Sequence, residues 1–255
     1  ENSTLHNQRF DPLQTIGSIY FVGAADLSSY LIVTPEGSFL LDGGLKETAP
    51  LIARSVGELG FRLEDVKYLL NSHAHYDHAG GLAELKMLSG ATMVASVADA
   101  PALRSGNRDV PPIVVDRTID DEESLRLGSV RMTAHITPGH TPGCTTWSTI
   151  ATENNREYRV VFHCGTRVAA QLVGNTSYPE MVSDYERTFH RLREFPADVF
   201  LAEHPRFFNM ADKVRRKRVG EPNPFIDPTE IRRFVDRSEQ EFKTALRAEE
   251  ATTSP

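Results

Sequence analysis

Ser72-His73-Ala74-His75-Tyr76-Asp77-His78-Ala79-Gly80-Gly81 is the stretch from which the rest of the chain can be read. Four side chains able to bind a metal, His73, His75, Asp77 and His78, fall within six residues. Before it, Val66-Lys67-Tyr68-Leu69-Leu70-Asn71 has the apolar character of a buried strand. After it, Leu82, Leu85 and Leu88 recur at helical spacing. A ligand cluster where strand gives way to helix is a functional placement, because α/β sheets bind ligands beyond the carboxyl ends of their strands. In extended chain, residues two apart point the same way, so His73 and His75 can share one metal ion. Asp77 and His78 follow the turn, point elsewhere and suit a second ion. Imidazole nitrogen and carboxylate oxygen are both ligands that zinc accepts. Gly80 and Gly81 let backbones approach closely where the helix begins. The competing reading is a surface histidine cluster, which the flanking apolar strand and Gly-Gly disfavour.

The chain has 255 residues, room for one or two domains, with 40% hydrophobic and 25% charged residues. Lys and Arg total 28 against 35 Asp and Glu, a formal charge of −7. That balance gives no electrostatic footprint for nucleic acid. No apolar run approaches the roughly 20 residues that span a bilayer. Cys144 and Cys164 are the only cysteines, so a disulfide framework is not indicated. The start, Glu1-Asn2-Ser3-Thr4, is polar and reads as a mature form whose leader has been removed.

Along the chain, residues 1–12 read as a loose polar arm before a single domain over 13–250 made of two αβ halves. Ile16 to Val22, Ser29 to Val33 and Ser38 to Leu41 read as strands, with a turn at Pro35-Glu36-Gly37. Asp42, in Leu40-Leu41-Asp42-Gly43-Gly44, reads either as a turn residue or as a functional one. Ala49, Ile52, Val56 and Leu59 predict a helix closed by Gly60. Ala91 to Ala95 predicts a strand, and 98–117 a short helix and a loop. Ser129 to Thr137, Cys144 to Ile150 and Tyr158 to His163 are further strands, the last two joined by a turn at Glu153-Asn154-Asn155-Arg156. Asp184 to Phe195 predicts a helix and Asp198 to Ala202 a short strand. Asp227, Pro228 and Glu230 predict a capping box that starts a last helix with Ile231, Phe234, Val235, Phe242 and Leu246 on its apolar stripe. Residues 251–255 are expected to fray. Lys213 to Arg218 reads as a solvated helix face, with an anion-binding patch as the alternative. His135 reads as an ordinary strand histidine.

The motif His-x-His-x-Asp-His at 73–78 resembles the signature of the metallo-β-lactamase superfamily. That resemblance implies an αββα sandwich, a topology that periodicity alone does not fix. It makes His140, in Thr137-Pro138-Gly139-His140-Thr141-Pro142-Gly143, the third histidine beside His73 and His75. It makes His204, in Ala202-Glu203-His204-Pro205, the partner of Asp77 and His78, and Asp42 a support of the metal site. The implied cofactors are two zinc ions. His6, His163 and His190 do not match ligand positions.

Many hydrolases of the superfamily, such as glyoxalase II and the quorum-quenching lactonases, carry a metal-bridging Asp near Val160–Thr166. No Asp or Glu lies between Val160 and Thr176 here. With the pair His78 and His204, Ser28-Ser29-Tyr30-Leu31, Pro138 to Trp147, Tyr178-Pro179 and Asn223-Pro224-Phe225, this resembles the third subclass of class B β-lactamases, from about Phe10 to Leu246. The resemblance implies hydrolysis of the amide of β-lactam antibiotics by a metal-bound hydroxide that Asp77 orients. Thr166 resembles a position that contacts the antibiotic's carboxylate, and Tyr178 one near the oxyanion. Arg167 is a further electrostatic candidate. The expected protein is a monomer in the periplasm or outside the cell, with a small-molecule substrate and no nucleic-acid or membrane partner. The alternative is another metallohydrolase of this fold, acting on lactones or thioesters. One departure is Cys164, where the subclass usually has Ser. It reads as a small buried thiol, as a ligand of the second metal, or as half of a disulfide with Cys144 across the hairpin centred on Asn154.

Overall fold

Two β-sheets pack face to face between helices in the computed structural model, which describes residues 6–253. The first sheet has the order β1-β2-β3-β4-β5-β6-β7. Its strands are β1 (Leu13–Ile16), β2 (Ile19–Phe21), β3 (Tyr30–Thr34), β4 (Gly37–Leu41), β5 (Val66–Leu70), β6 (Thr92–Ser96) and β7 (Arg117–Ile119). Pairing is antiparallel from β1 to β4 and parallel from β4 to β7. The parallel part is made by helical crossovers: α1 (Ala49–Glu58), then α2 (Tyr76–Ala79) with α3 (Leu82–Ser89), then α4 (Ala100–Ser105). The second sheet has the order β12-β11-β10-β9-β8. It comprises β8 (Ser124–Leu127), β9 (Val130–Ile136), β10 (Thr145–Glu153), β11 (Arg156–His163) and β12 (Val199–Ala202). Helices α5 (Met181–Glu194), α6 (Met210–Arg218) and α7 (Glu230–Thr253) complete the chain. This is the expected αββα sandwich of the metallo-β-lactamase type.

Period-two alternation sorts the apolar side chains into layers. In register across β4, β5 and β6, Leu40, Leu69 and Met93 face α1 and α3, where they meet Ile52, Val56, Leu82 and Leu85. Their neighbours Leu41, Leu70 and Val94 face the other sheet. There Tyr30 meets Phe162 with ring centroids 5.1 Å apart, beside fully buried Trp147. Beyond the second sheet, Phe200 packs on Phe234 of α7 at 4.9 Å, and Phe189 on Phe242 at 5.5 Å.

Four sequence-based expectations change. Ile16 to Val22 is two strands rather than one, because the chain turns at Gly17 with φ +52°. Residues 1–5 of the expected arm lie outside the described residues, as do Ser254 and Pro255. From His6 onward the arm is docked rather than loose. His6 is buried, Arg9 bridges to Ala24 and pairs with Glu58, and Phe10 meets Phe21 edge-on. The capping box does not close either. Asp227 accepts from the Thr229 amide, but the Glu230 carboxylate pairs with buried Lys213 instead of reaching back. Lys213 is therefore not part of a solvated face, whereas Arg215, Arg216 and Arg218 are outside the core.

What positions the site is strand direction. Strands β4, β5 and β6 are parallel, and β9, β11 and β12 also share one direction. Their carboxyl ends meet along one edge of the sandwich, where Asp42, the 72–78 loop, Asp99, His140, Cys164 and His204 follow.

Candidate metal centre

The 72–78 loop is held from behind before any metal is considered. Asp42, in the left-handed region at φ +62°, accepts the Ser72 amide (2.7 Å), the Ser72 hydroxyl (2.6 Å) and the Asn71 side-chain amide (3.2 Å). The Trp147 indole donates to the Asn71 carbonyl at 3.1 Å. On the helix side, Gly43 and Gly81 touch backbone to backbone. A Cβ on Gly81 would lie 2.3 Å from the Gly43 carbonyl oxygen, so the approach requires glycine there.

His73, His75 and His140 converge. His140 Nε2 lies 3.0 Å from His75 Nδ1 and 3.2 Å from His73 Nε2. Beside them, Asp77 Oδ2 lies 3.6 Å from His78 Nε2 and 3.7 Å from His204 Nε2. The His73 and His78 rings, 4.4 Å apart, join the two groups. The six residues named from the sequence thus come together at one place, although they span 73 to 204.

Hydrogen bonds fix which nitrogens face inward. His140 Nδ1 donates to the Arg167 carbonyl and His204 Nδ1 to the Asp26 carbonyl, each at 2.6 Å. Ser72 gives its only hydroxyl proton to Asp42, so its oxygen accepts from His73 Nδ1 at 3.0 Å. His73 and His140 therefore present bare Nε2 lone pairs to each other. Two acceptors at 3.2 Å with no proton between them repel, and a cation relieves that repulsion. The donor set fits a divalent metal on this ground, and outer hydrogen bonds that orient ligand imidazoles are the usual companions of metal sites.

Charge follows the same pattern. Burial, then the neighbouring histidines, hold His73 well below the ordinary imidazole value. Burial leads again for His75, which is lowered, and for His140, lowered to about 4. Burial with His78 and Arg206 lowers His204 to about 3. These rings are neutral at pH 7 and free to act as ligands. For His78 burial also disfavours charge, but Asp77 and Asp42 outweigh it and push the ring up to about 9. Asp77 stays ionised despite burial, held low by His78 and His204.

The centre floors a cleft of about 340 Å³ walled by Tyr76, Arg167, Val168, Glu203 and Phe207. Thr166 and Tyr178 do not line it. Thr166 is buried with its hydroxyl 3.4 Å from His163 Nε2. The Tyr178 hydroxyl donates to Asp184 at 2.6 Å inside the core, because α5 begins just after it and turns Asp184 toward the ring. Neither expected substrate contact is therefore part of the cleft wall in this structure. Cys164 is neither thiol nor ligand: it forms a disulfide with Cys144, their Cα atoms 5.7 Å apart. A wider groove of about 870 Å³ lies on the outer face of β9–β11. Two of its arginines, Arg159 and Arg191, already pair with Asp198 and with Asp121 and Glu122.

Two groups at the site escaped the sequence reading. Asp99, in an unremarkable Ala98-Asp99-Ala100 context, accepts from Ala74 N, Thr141 Oγ1 and Gly143 N, each at 2.9 Å, and ties the two histidine loops together. Glu203 is buried against the cleft. Its only signal is its place between a strand and His204.

The profile of the Metallo-beta-lactamase superfamily matches residues 23–149. The subclass B3 metallo-β-lactamase BJP-1 of Bradyrhizobium japonicum is 34% identical and superposes over 100% of both chains with a TM-score of 0.95. Persulfide dioxygenase ETHE1 of Homo sapiens is 29% identical over 143 residues, 56% of this chain and 47% of its own length. A hydroxyacylglutathione hydrolase of Rhodospirillum rubrum is 30% identical over 104 residues, 41% of this chain and 35% of its own length. The chain thus spans half or less of the length of these two curated relatives. A two-sheet sandwich with a histidine- and aspartate-lined cleft at one edge defines a metal-binding member of this superfamily. The chain belongs to the metallo-β-lactamase superfamily, and its full-length structural neighbours include the subclass B3 metallo-β-lactamases BJP-1 and MEM-A1.

Proposed function

We propose that the protein is a di-zinc β-lactamase that hydrolyses the lactam amide of β-lactam antibiotics. His73, His75 and His140 hold one ion, and Asp77, His78 and His204 the other. When bound, zinc polarises a carbonyl and brings the pKa of its water to about 7, supplying hydroxide near neutral pH. The protein's part is positional. The carbonyls of Arg167 and Asp26 fix the tautomers of His140 and His204. Asp77, ionised and acceptor-only, orients a water in the cleft and can take its proton. Arg167 on the cleft wall supplies positive charge for a substrate carboxylate, and Tyr76 and Phe207 supply apolar surface. With water as nucleophile, no acyl-enzyme forms.

The convergence of six donors in one cleft carries this reading. Full-length likeness to BJP-1 favours β-lactams over thioesters or lactones, because the other relatives match only part of the chain. The end of β11 also supports it. Cys164 stands where many other hydrolases of the superfamily place a bridging carboxylate, and its sulfur is tied up with Cys144. A disulfide fits a chain that works in an oxidising compartment such as the periplasm. The test is parallel hydrolysis of a chromogenic cephalosporin, a carbapenem, an acyl-homoserine lactone and a glutathione thioester, with and without chelator. Cephalosporin turnover that chelator abolishes and zinc restores is expected, with serine-directed inactivators having no effect. Turnover of only the thioester or lactone, or full activity after verified metal removal, refutes the reading.

A further inference from the structure

Glu203 is 4% exposed, lines the cleft, and its Oε2 has no hydrogen-bond partner among the described residues. Its other oxygen, Oε1, and the His140 ring both crowd Gly165, where a Cβ would sit 3.3 Å from Oε1 and 3.0 Å from His140 Cδ2. The residue after it is His204, and Arg206 nearby is committed to Asp26. A buried carboxylate with an oxygen that finds no donor among the described residues is poorly compensated unless a cation lies near it.

The charge balance says which cations. Two divalent cations bring four positive charges into a buried site, and the six donors supply one negative charge, on Asp77. Asp42 and Asp99 stand behind the loops, but all their carboxylate oxygens accept hydrogen bonds from the protein. Glu203 alone among these acids has a buried carboxylate oxygen without a hydrogen-bond partner among the described residues. We propose that Glu203 is a further acidic group of the metal centre, which offsets the cations' charge from the wall of the cleft. It is a positioning residue outside both donor triads. The proposal rests on the reading that those triads hold two divalent ions.

The experiment is zinc titration of the chelator-stripped full chain by calorimetry, with metal analysis after gel filtration, for wild type, E203Q and E203M. Wild type is expected to take up two ions per chain. Both variants are expected to bind the first within threefold of wild type and the second at least tenfold more weakly. The stripped variants are expected to melt no lower than stripped wild type, because each replaces a buried carboxyl group that has an oxygen without a partner among the described residues. E203M keeps the test decisive if E203Q does not fold. Two ions bound as tightly by the variants as by wild type overturn the proposal and leave the triads intact. A lower melting temperature with unchanged zinc affinity marks a merely structural role and also overturns it. Wild-type protein that binds no zinc overturns the reading of the triads and the proposal with it.

Discussion

Asp99 joins two loops that carry different ligands, and its removal separates stability from the metal donors themselves. It is 5% exposed and accepts three hydrogen bonds, two at Oδ2 from Ala74 N and Thr141 Oγ1 and one at Oδ1 from Gly143 N. In D99N, an amide oxygen at the Oδ2 position keeps the first two. Its NH2 then faces the Gly143 N–H, donor against donor, in a buried place. One lost bond and one unsatisfied amide cost about 1–3 kcal/mol. In D99A all three donors lose their acceptor, and the cost rises to about 3–5 kcal/mol. Because Thr141 and Gly143 flank the His140 turn while Ala74 sits between His73 and His75, the first zinc is affected as well. Loss of a supporting partner of this kind lowers metal affinity about 10–100-fold. Urea unfolding in excess chelator reads the first effect, and zinc titration of the stripped protein the second. If both variants unfold within about 0.5 kcal/mol of wild type, a margin typical of surface substitutions, Asp99 does not tie the loops.

Further outcomes follow from the core. Burial holds His163 neutral and lowers it from 6.5 to about 3, so the unfolded chain takes up a proton there before the folded one. Its contribution to stability is present above pH 6.5 and is lost as pH falls toward 3. H163F, packed against Phe200 and Phe234, should reduce the slope of unfolding free energy against pH by about one proton over that window. An unchanged slope counts against a buried neutral ring. Replacing both cysteines, C144S with C164S, opens a loop of 20 residues and should cost about 3 kcal/mol by chain entropy while sparing zinc uptake. Loss of zinc from that variant would mean the sulfurs hold metal after all. K213M strands Glu230 in a buried position and should cost about 3–5 kcal/mol in urea unfolding at pH 7. A change below about 1 kcal/mol would place the pair in solvent.

The local parts of this protein were legible because they depend on neighbours in sequence. The 66–71 strand, the Leu82 helix and the donors His73, His75, Asp77 and His78 are written in spacing and apolar alternation, which short-range geometry converts directly into structure. His140 and His204 needed the family resemblance, since a lone histidine after a strand is otherwise ambiguous. Ile16 to Val22 misled because apolar character runs on through a turn that one glycine makes.

Sequence alone therefore determined which residues carry donor atoms, where strands yield to helices, and the resemblance to the metallo-β-lactamase superfamily with its αββα sandwich. Only the tertiary structure decided that Cys164 bonds Cys144, that Tyr178 serves Asp184 in the core, that Asp99 laces two loops, and that Glu203 is buried at the cleft with one oxygen unpaired among the described residues. The reason is distance along the chain. Each of those facts is a meeting or a side-chain direction set by how two sheets and their helices pack, and no spacing rule encodes the partner a buried polar atom finds once distant strand ends are brought to one edge.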